Sequence, residues 1–203
     1  MYVIGLTGGI GSGKNAASHY FQDCGIEIVD ADIAARRVVE PHTDAYMQII
    51  DYFGVGVLLP SNDLNRSALR AQVFADPEKR QWLEDLLHPL IYQWMDQRLR
   101  TVQSPYVILA SPLLLDTDQH KLVDRILVID ATEELQIERA CARDATSEAQ
   151  IRAIMASQLS REKRLERADD VICNSGSLEK LEQQVKDTHQ KYLQLAAEAQ
   201  QTA

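Results

Sequence analysis

The stretch GLTGGIGSGKNAA, residues 5–17, decides how the rest of the chain is read. Gly8, Gly13 and Lys14 fall at the fixed places of the pattern G-x-x-x-x-G-K-[ST], but Asn15 stands where the pattern has Ser or Thr, and Ala16 follows it. Glycines in this pattern let backbone N–H groups turn inward around phosphate oxygens, the lysine adds a mobile positive charge, and the hydroxyl normally ligates Mg²⁺. The string Gly8-Gly9-Ile10-Gly11-Ser12-Gly13-Lys14 keeps the first two features; only the third is altered. A phosphate-binding loop is expected, the duller alternative being a glycine-rich turn without a ligand.

The surroundings of the loop favour the first reading. Short runs rich in β-branched residues, YVIGL (2–6), IEIVD (26–30), YVILA (106–110) and RILVID (125–130), with DVIC (170–173) as a weaker fifth, alternate with helical patterns. Apolar strands separated by helices indicate a parallel sheet covered on both faces. The loop then lies between a strand and a helix running from Asn15 to Cys24, closed by Gly25. The expected class is α/β: a P-loop NTPase-type parallel five-stranded sheet with flanking helices.

About 75 residues separate the second and third strands, far more than a simple crossover needs. They read as helices, in DADIAARRVVE, TDAYMQIIDYF, RSALRAQVFAD and a long one from Pro77, which Pro89 should kink or divide. This sets a core of residues 1–40 and 104–203 around a helical insertion over 41–103. Farther on, Ser147 and Gln150 have the spacing of a capping box. The closing helix, from Ser177 to about Ala197, carries Leu178, Leu181, Val185, Tyr192 and Ala196 on one side, a face suited to packing on the sheet.

The chain has 203 residues, 45% hydrophobic and 25% charged, and a net charge of −9. That charge leaves no general basic surface for nucleic acid or an anionic membrane, so neither is expected as a partner. Three scattered cysteines without a C-x-x-C pair argue against a disulfide framework or a zinc site. The N-terminus lacks a basic region before its short apolar run, and no 18-residue apolar stretch occurs, so a cytoplasmic protein is expected, a monomer or weak homo-oligomer.

Other side chains are candidates for chemistry. Asp30 and Asp32 stand at the carboxyl end of the second strand, the end that faces the ligand crevice in an open α/β sheet. A carboxylate there can orient an acceptor hydroxyl and take its proton; equally, one of the two can simply cap the helix that follows. Arg139 and Arg143 share a helix face and could neutralise a transferring phosphoryl group, although such pairs are more often a solvated face. His88 reads more readily as a packed or surface histidine. Asp130 ends a strand as a Walker B aspartate does, but Ala131 stands where many ATPases have glutamate.

Taken together, LTGGIGSGK, DADIAAR, LLHPLI, SPLLLD, RACARD and RADDVICNSG, in this order over nearly the whole chain, resemble the dephospho-CoA kinase family. The resemblance implies a P-loop kinase core, an insertion that binds the acceptor, and a lid over about 139–150. It implies transfer of phosphate from ATP to the 3′-hydroxyl of dephospho-CoA, with Mg²⁺. Lys14 and residues Gly8 to Ala16 would hold ATP, with Arg143, Asn174 and Gly176 on the nucleotide side. Asp32 would act on the hydroxyl, and Arg139 would reach the transferring phosphate. Arg36, His88, Pro89 and Leu113 would sit with Asp32 around the acceptor, and Asn15 and Asp32 would be the metal's protein ligands. This sequence departs from the family at Asn15 and Ala16, usually Ser/Thr, and at Asp116, usually glutamate. The competing readings are a degenerate nucleotide-binding regulator, favoured by Asn15, and an ATPase or GTPase switch. The switch lacks an N-K-x-D motif, and its DYFG match at 51–54 falls on an expected helix.

Overall fold

The computed structural model describes residues 1–201. The chain divides into two compact units, one made of residues 1–30 with the chain from Leu99 onward, the other of Ala31–Arg98. The helix read at 30–40 therefore belongs with the inserted unit, ten residues earlier than the expected boundary at 41.

In the first unit, β1 (Val3–Thr7), β2 (Glu27–Asp30), β3 (Val107–Ala110), β4 (Arg125–Asp130) and β5 (Asp170–Cys173) form one parallel sheet in the order β2-β3-β1-β4-β5. β1 is central and buried throughout, as its unbroken apolar run requires. Ile4, Leu6, Ile108, Leu127 and Ile129 meet Ala17 and Phe21 of α1 (Lys14–Asp23), together with Leu181, Val185, Tyr192 and Ala196 of the closing helix. That helix runs from Leu178 to Gln201; Leu178 itself is 61% exposed, and buried His189 completes the packed face in its place. Tyr192 stacks on Phe21 and meets Tyr106 edge-on, at centroid separations of 6.3 and 5.7 Å.

The second unit contains α2 (Ala31–Arg37), α3 (Asp44–Phe53), α4 (Arg66–Ala75) and α5 (Pro77–Leu99), whose last residue crosses into the first. Side-chain caps start α3, α4 and α5: Thr43 Oγ1 accepts from the Tyr46 N–H, Asn65 Oδ1 from the Ala68 N–H, and Asp76 Oδ1 from the Glu78 and Lys79 N–H groups. α5 is one helix of 23 residues with Pro89 inside it, so the expected division does not occur. Leu83, Leu86 and Leu87 before the proline and Leu90 after it all pack on Val39, Ile49, Phe53, Val57 and Leu69, so a break would strip that core on one side. Tyr52 stacks flat on Trp82 at 4.1 Å.

Beyond β4 the first unit carries α6 (Glu133–Asp144), α7 (Glu148–Ser157) and α8 (Arg161–Glu166), with the closing helix as α9. Ser147 Oγ caps α7 by accepting from the Gln150 N–H, but the Gln150 side chain turns to the Thr146 hydroxyl, leaving half of the expected capping box. No helix among the described residues is long and apolar enough to cross a membrane.

Candidate active site

β1 hands the chain directly to the glycine loop, which closes on itself through Ser12 N–H to Gly9 O at 3.0 Å before α1 begins. Gly11 and Gly13 have φ of 72° and 93°, values that side chains on L-residues resist. A Cβ on Gly13 would also strike the Asn174 side-chain amide, and one on Gly11 the Gln136 backbone carbonyl. The loop thus has glycine where both conformation and closeness demand it.

At its end, Lys14 is buried, 9% exposed, and its Nζ has no hydrogen-bond partner. A sequestered ammonium without a partner is costly unless an anion completes it. Ser12 Oγ is likewise buried and unpartnered. Asn15, by contrast, is exposed on the first turn of α1. Its amide oxygen is a hard neutral donor, and Mg²⁺ in phosphotransfer sites takes only one or two protein ligands beside phosphates and water, so the residues present fit the ion.

The wall around the loop is built by residues from α6 to β5. Asn174 is 5% exposed; its Nδ2 donates to Ser12 O at 2.8 Å, and its backbone carbonyl accepts from Arg139 at 2.9 Å. Arg139 and Asn174 are thereby brought together beside the loop. Arg143 is not part of this link: its guanidinium is held in bidentate fashion by neighbouring Asp144, and the arginine pair expected on one face serves two different partners. Gly176 is exposed two residues before α9.

Asp130 is engaged as well. Arg161 grips both its carboxylate oxygens at 2.8 and 2.6 Å, and this bond holds the Arg161 guanidinium above its ordinary pKa. The resemblance of this strand end to a Walker B site stops at the residue type.

Several neighbours of the loop had escaped the sequence reading. Gln136, 2% exposed, donates to Ala131 O at 2.7 Å and covers Gly9 and Gly11. Gln158 accepts the Ile10 N–H at 3.2 Å. Arg164, 8% exposed, stands against Gly9; burial lowers its pKa, and Asp116, Asp130 and Glu162 oppose that from a distance. Gln136, Gln158, Arg152, Arg161 and Arg164 help line a cavity of about 320 Å³. The one available signal was Arg161 and Arg164 three apart behind Ser160, an N-cap followed by two cations on one helical face.

Leu113 and Asp116 are exposed after β3, Leu113 by 46%. In the second unit, Asp32 and Arg36 are exposed one turn apart on α2, and His88 and Pro89 are adjacent and exposed on α5.

Known proteins bear on this arrangement. The family model for dephospho-CoA kinase matches residues 2–180. A dephospho-CoA kinase of Hahella chejuensis is 52% identical over 194 residues, 96% of this chain and 93% of the relative. One of Acinetobacter baylyi is 50% identical over 193 residues, covering 95% and 99%. Among solved structures, TT1252 from Thermus thermophilus superposes with a TM-score of 0.82 at 30% identity, covering 94% of this chain and 97% of that one. With a parallel sheet, a glycine loop ending in a buried lysine, and relatives matched over nearly their whole length, the chain belongs to the dephospho-CoA kinase family.

Proposed function

We propose that this protein transfers the γ-phosphate of ATP to the 3′-hydroxyl of dephospho-CoA, giving ADP and coenzyme A, in the cytoplasm. The observation that carries the reading is the buried, unpartnered Lys14 Nζ at the end of the glycine loop, a positive charge set to receive an anion. Loop N–H groups from Gly8 to Ala16 and Lys14 bind the β- and γ-phosphates, with Asn174 fixing the loop through Ser12. Arg143 and Gly176 are assigned to the nucleotide side. Asp32 takes the proton of the 3′-hydroxyl as the oxygen attacks the γ-phosphorus; the bond from that phosphorus to the β,γ-bridging oxygen breaks, and ADP leaves. Arg139 uses one N–H for Asn174 O, leaving four donors for the charge on the transferring phosphoryl group. Arg36, His88, Pro89 and Leu113 surround the acceptor. Asn15 and Asp32 would be the protein residues to hold Mg²⁺, which would supply neutralising charge to the phosphates when bound. A coupled assay of ADP release tests the reading: release should require dephospho-CoA, and the product should carry a new 3′-phosphate. Equal release without acceptor would identify an ATPase instead.

A further inference from the structure

The second unit has a cavity of its own, about 250 Å³, lined by Arg36 and Arg66 with Glu40, Asp63, Val39 and Leu64. Two guanidinium groups here face one space from different helices, Arg36 from the last turn of α2 and Arg66 from the first residue of α4. Of the two carboxylates that share the cavity, Glu40 is paired with Arg37 at 2.7 Å, while Asp63 accepts from the Ser61 hydroxyl at 2.8 Å and keeps its charge. Among the described residues, neither Arg36 nor Arg66 closes an ion pair. Both arginines are exposed, so a ligand in solution can reach them, and guanidinium groups match phosphate oxygens in bidentate geometry.

The spacing to Asp32 sets which anion. Asp32 and Arg36 are four residues apart on α2, on one face, just over a turn or about 6 Å along the axis. A ribose 3′-oxygen and its own 5′-phosphorus lie five bonds apart, a comparable reach. An acceptor whose 3′-hydroxyl meets Asp32 and which lies along α2 can therefore set its 5′-diphosphate at Arg36.

We infer that Arg36 and Arg66 form the subsite for the 5′-diphosphate of the acceptor, with Arg66 the residue that fixes its affinity. This rests on the acceptor reading given above. Partial burial of the guanidinium first, and then the charge of Arg36, hold Arg66 below its ordinary pKa, although the residue as a whole is exposed.

The test uses the full chain and its Arg66→Ala, Arg66→Lys, Arg36→Ala and Arg80→Ala variants. The KM for dephospho-CoA, the KM for ATP, the Kd for dephospho-CoA alone at several salt concentrations, and the Tm are measured. Arg66→Ala and Arg36→Ala should each raise the KM and Kd for dephospho-CoA about 10- to 100-fold, with the KM for ATP unchanged and a flatter salt dependence. Arg66→Lys, which keeps the charge without the fork, should show a smaller rise. Removing Arg66 also relieves a repulsion, so its Tm should hold or rise, whereas a purely structural arginine would lower it. Arg80, exposed and paired with Glu84, should change nothing. An unchanged KM and Kd for dephospho-CoA in Arg66→Ala, in an enzyme whose wild type uses that acceptor, overturns the subsite alone, as does an equal loss for ATP or a fall in Tm. A wild-type enzyme that neither binds nor phosphorylates dephospho-CoA overturns the acceptor reading and the subsite with it.

Discussion

Asn15 is the residue at which this chain departs from its own motif, and the structure leaves it exposed beside a buried Lys14. The backbone loop and the lysine do not need a hydroxyl, so nucleotide affinity should survive the change better than rate. An asparagine oxygen sits farther from Cα than a serine hydroxyl, and Mg²⁺ tolerates little distortion of its octahedron. A misplacement costing about 1 to 3 kcal/mol at the transition state slows turnover roughly 5- to 150-fold. Asn15→Ser should accordingly raise turnover and lower the Mg²⁺ needed for half-maximal activity; a titration showing no gain at any Mg²⁺ level would mean the asparagine is already competent. Asp32→Asn should leave ATP binding nearly intact and lower kcat on the order of 10²-fold or more, since positioned proton transfer is commonly worth that much. Retention of most activity would move the role to another carboxylate. The loop residues were legible because their pattern encodes backbone geometry directly. Gln136, Gln158 and Arg164 were not, because a side chain that reaches across from another element leaves no local spacing to read.

Among the elements, α5 is the clearest case of packing outweighing local preference. A proline inside a helix costs about 3 kcal/mol relative to alanine, yet α5 continues through Pro89 because leucines on both sides are tied to one core. Pro89→Ala should thus stabilise the protein, by about 1 to 3 kcal/mol in denaturant melts, and any loss of activity in that more stable variant would point to the acceptor role assigned to Pro89. A destabilised variant would mean that the ring itself packs. All five strands were legible to within a residue at either end, the buried ones as nearly unbroken apolar runs and the half-exposed edge strand β5 more weakly. The break between α7 and α8 was not: Gln158 to Ser160 hold no glycine or proline, and the chain turns there while Gln158 reaches Ile10 and Ser160 caps α8. Leu178 was misjudged for a related reason, as a helix pattern gives the face but not where the neighbouring sheet ends.

For the molecule as a whole, acid stability has an identifiable source. Burial depresses the pKa of His189, whose Nδ1 lies 2.9 Å from the Tyr106 hydroxyl inside the main core. Between its folded value and 6.5 the unfolded chain binds a proton that the native chain does not, so stability should fall as pH drops below about 6.5 and be unaffected by this group above it. Asp170 acts in a separate window. Burial works against its charge, but hydrogen bonds from Arg125, Lys191 and Tyr192 prevail and hold its pKa low, so its contribution is present above about 3.8 and fades only below that. Urea melts at pH 7 and pH 5.5 should therefore differ in the wild type and much less in His189→Gln; an equal difference in both would place the proton elsewhere. The strand order carries one more consequence, for how the chain acquires its fold during synthesis. The first two strands made, β1 and β2, are not neighbours; β3 lies between them. Until residue 107 has been made, neither has a partner, and closing the intervening loop as free chain would cost on the order of 4 kcal/mol. If the helices of residues 31–98 condense first, they shorten that loop, so the inserted unit would serve as a scaffold for the sheet before it serves any substrate.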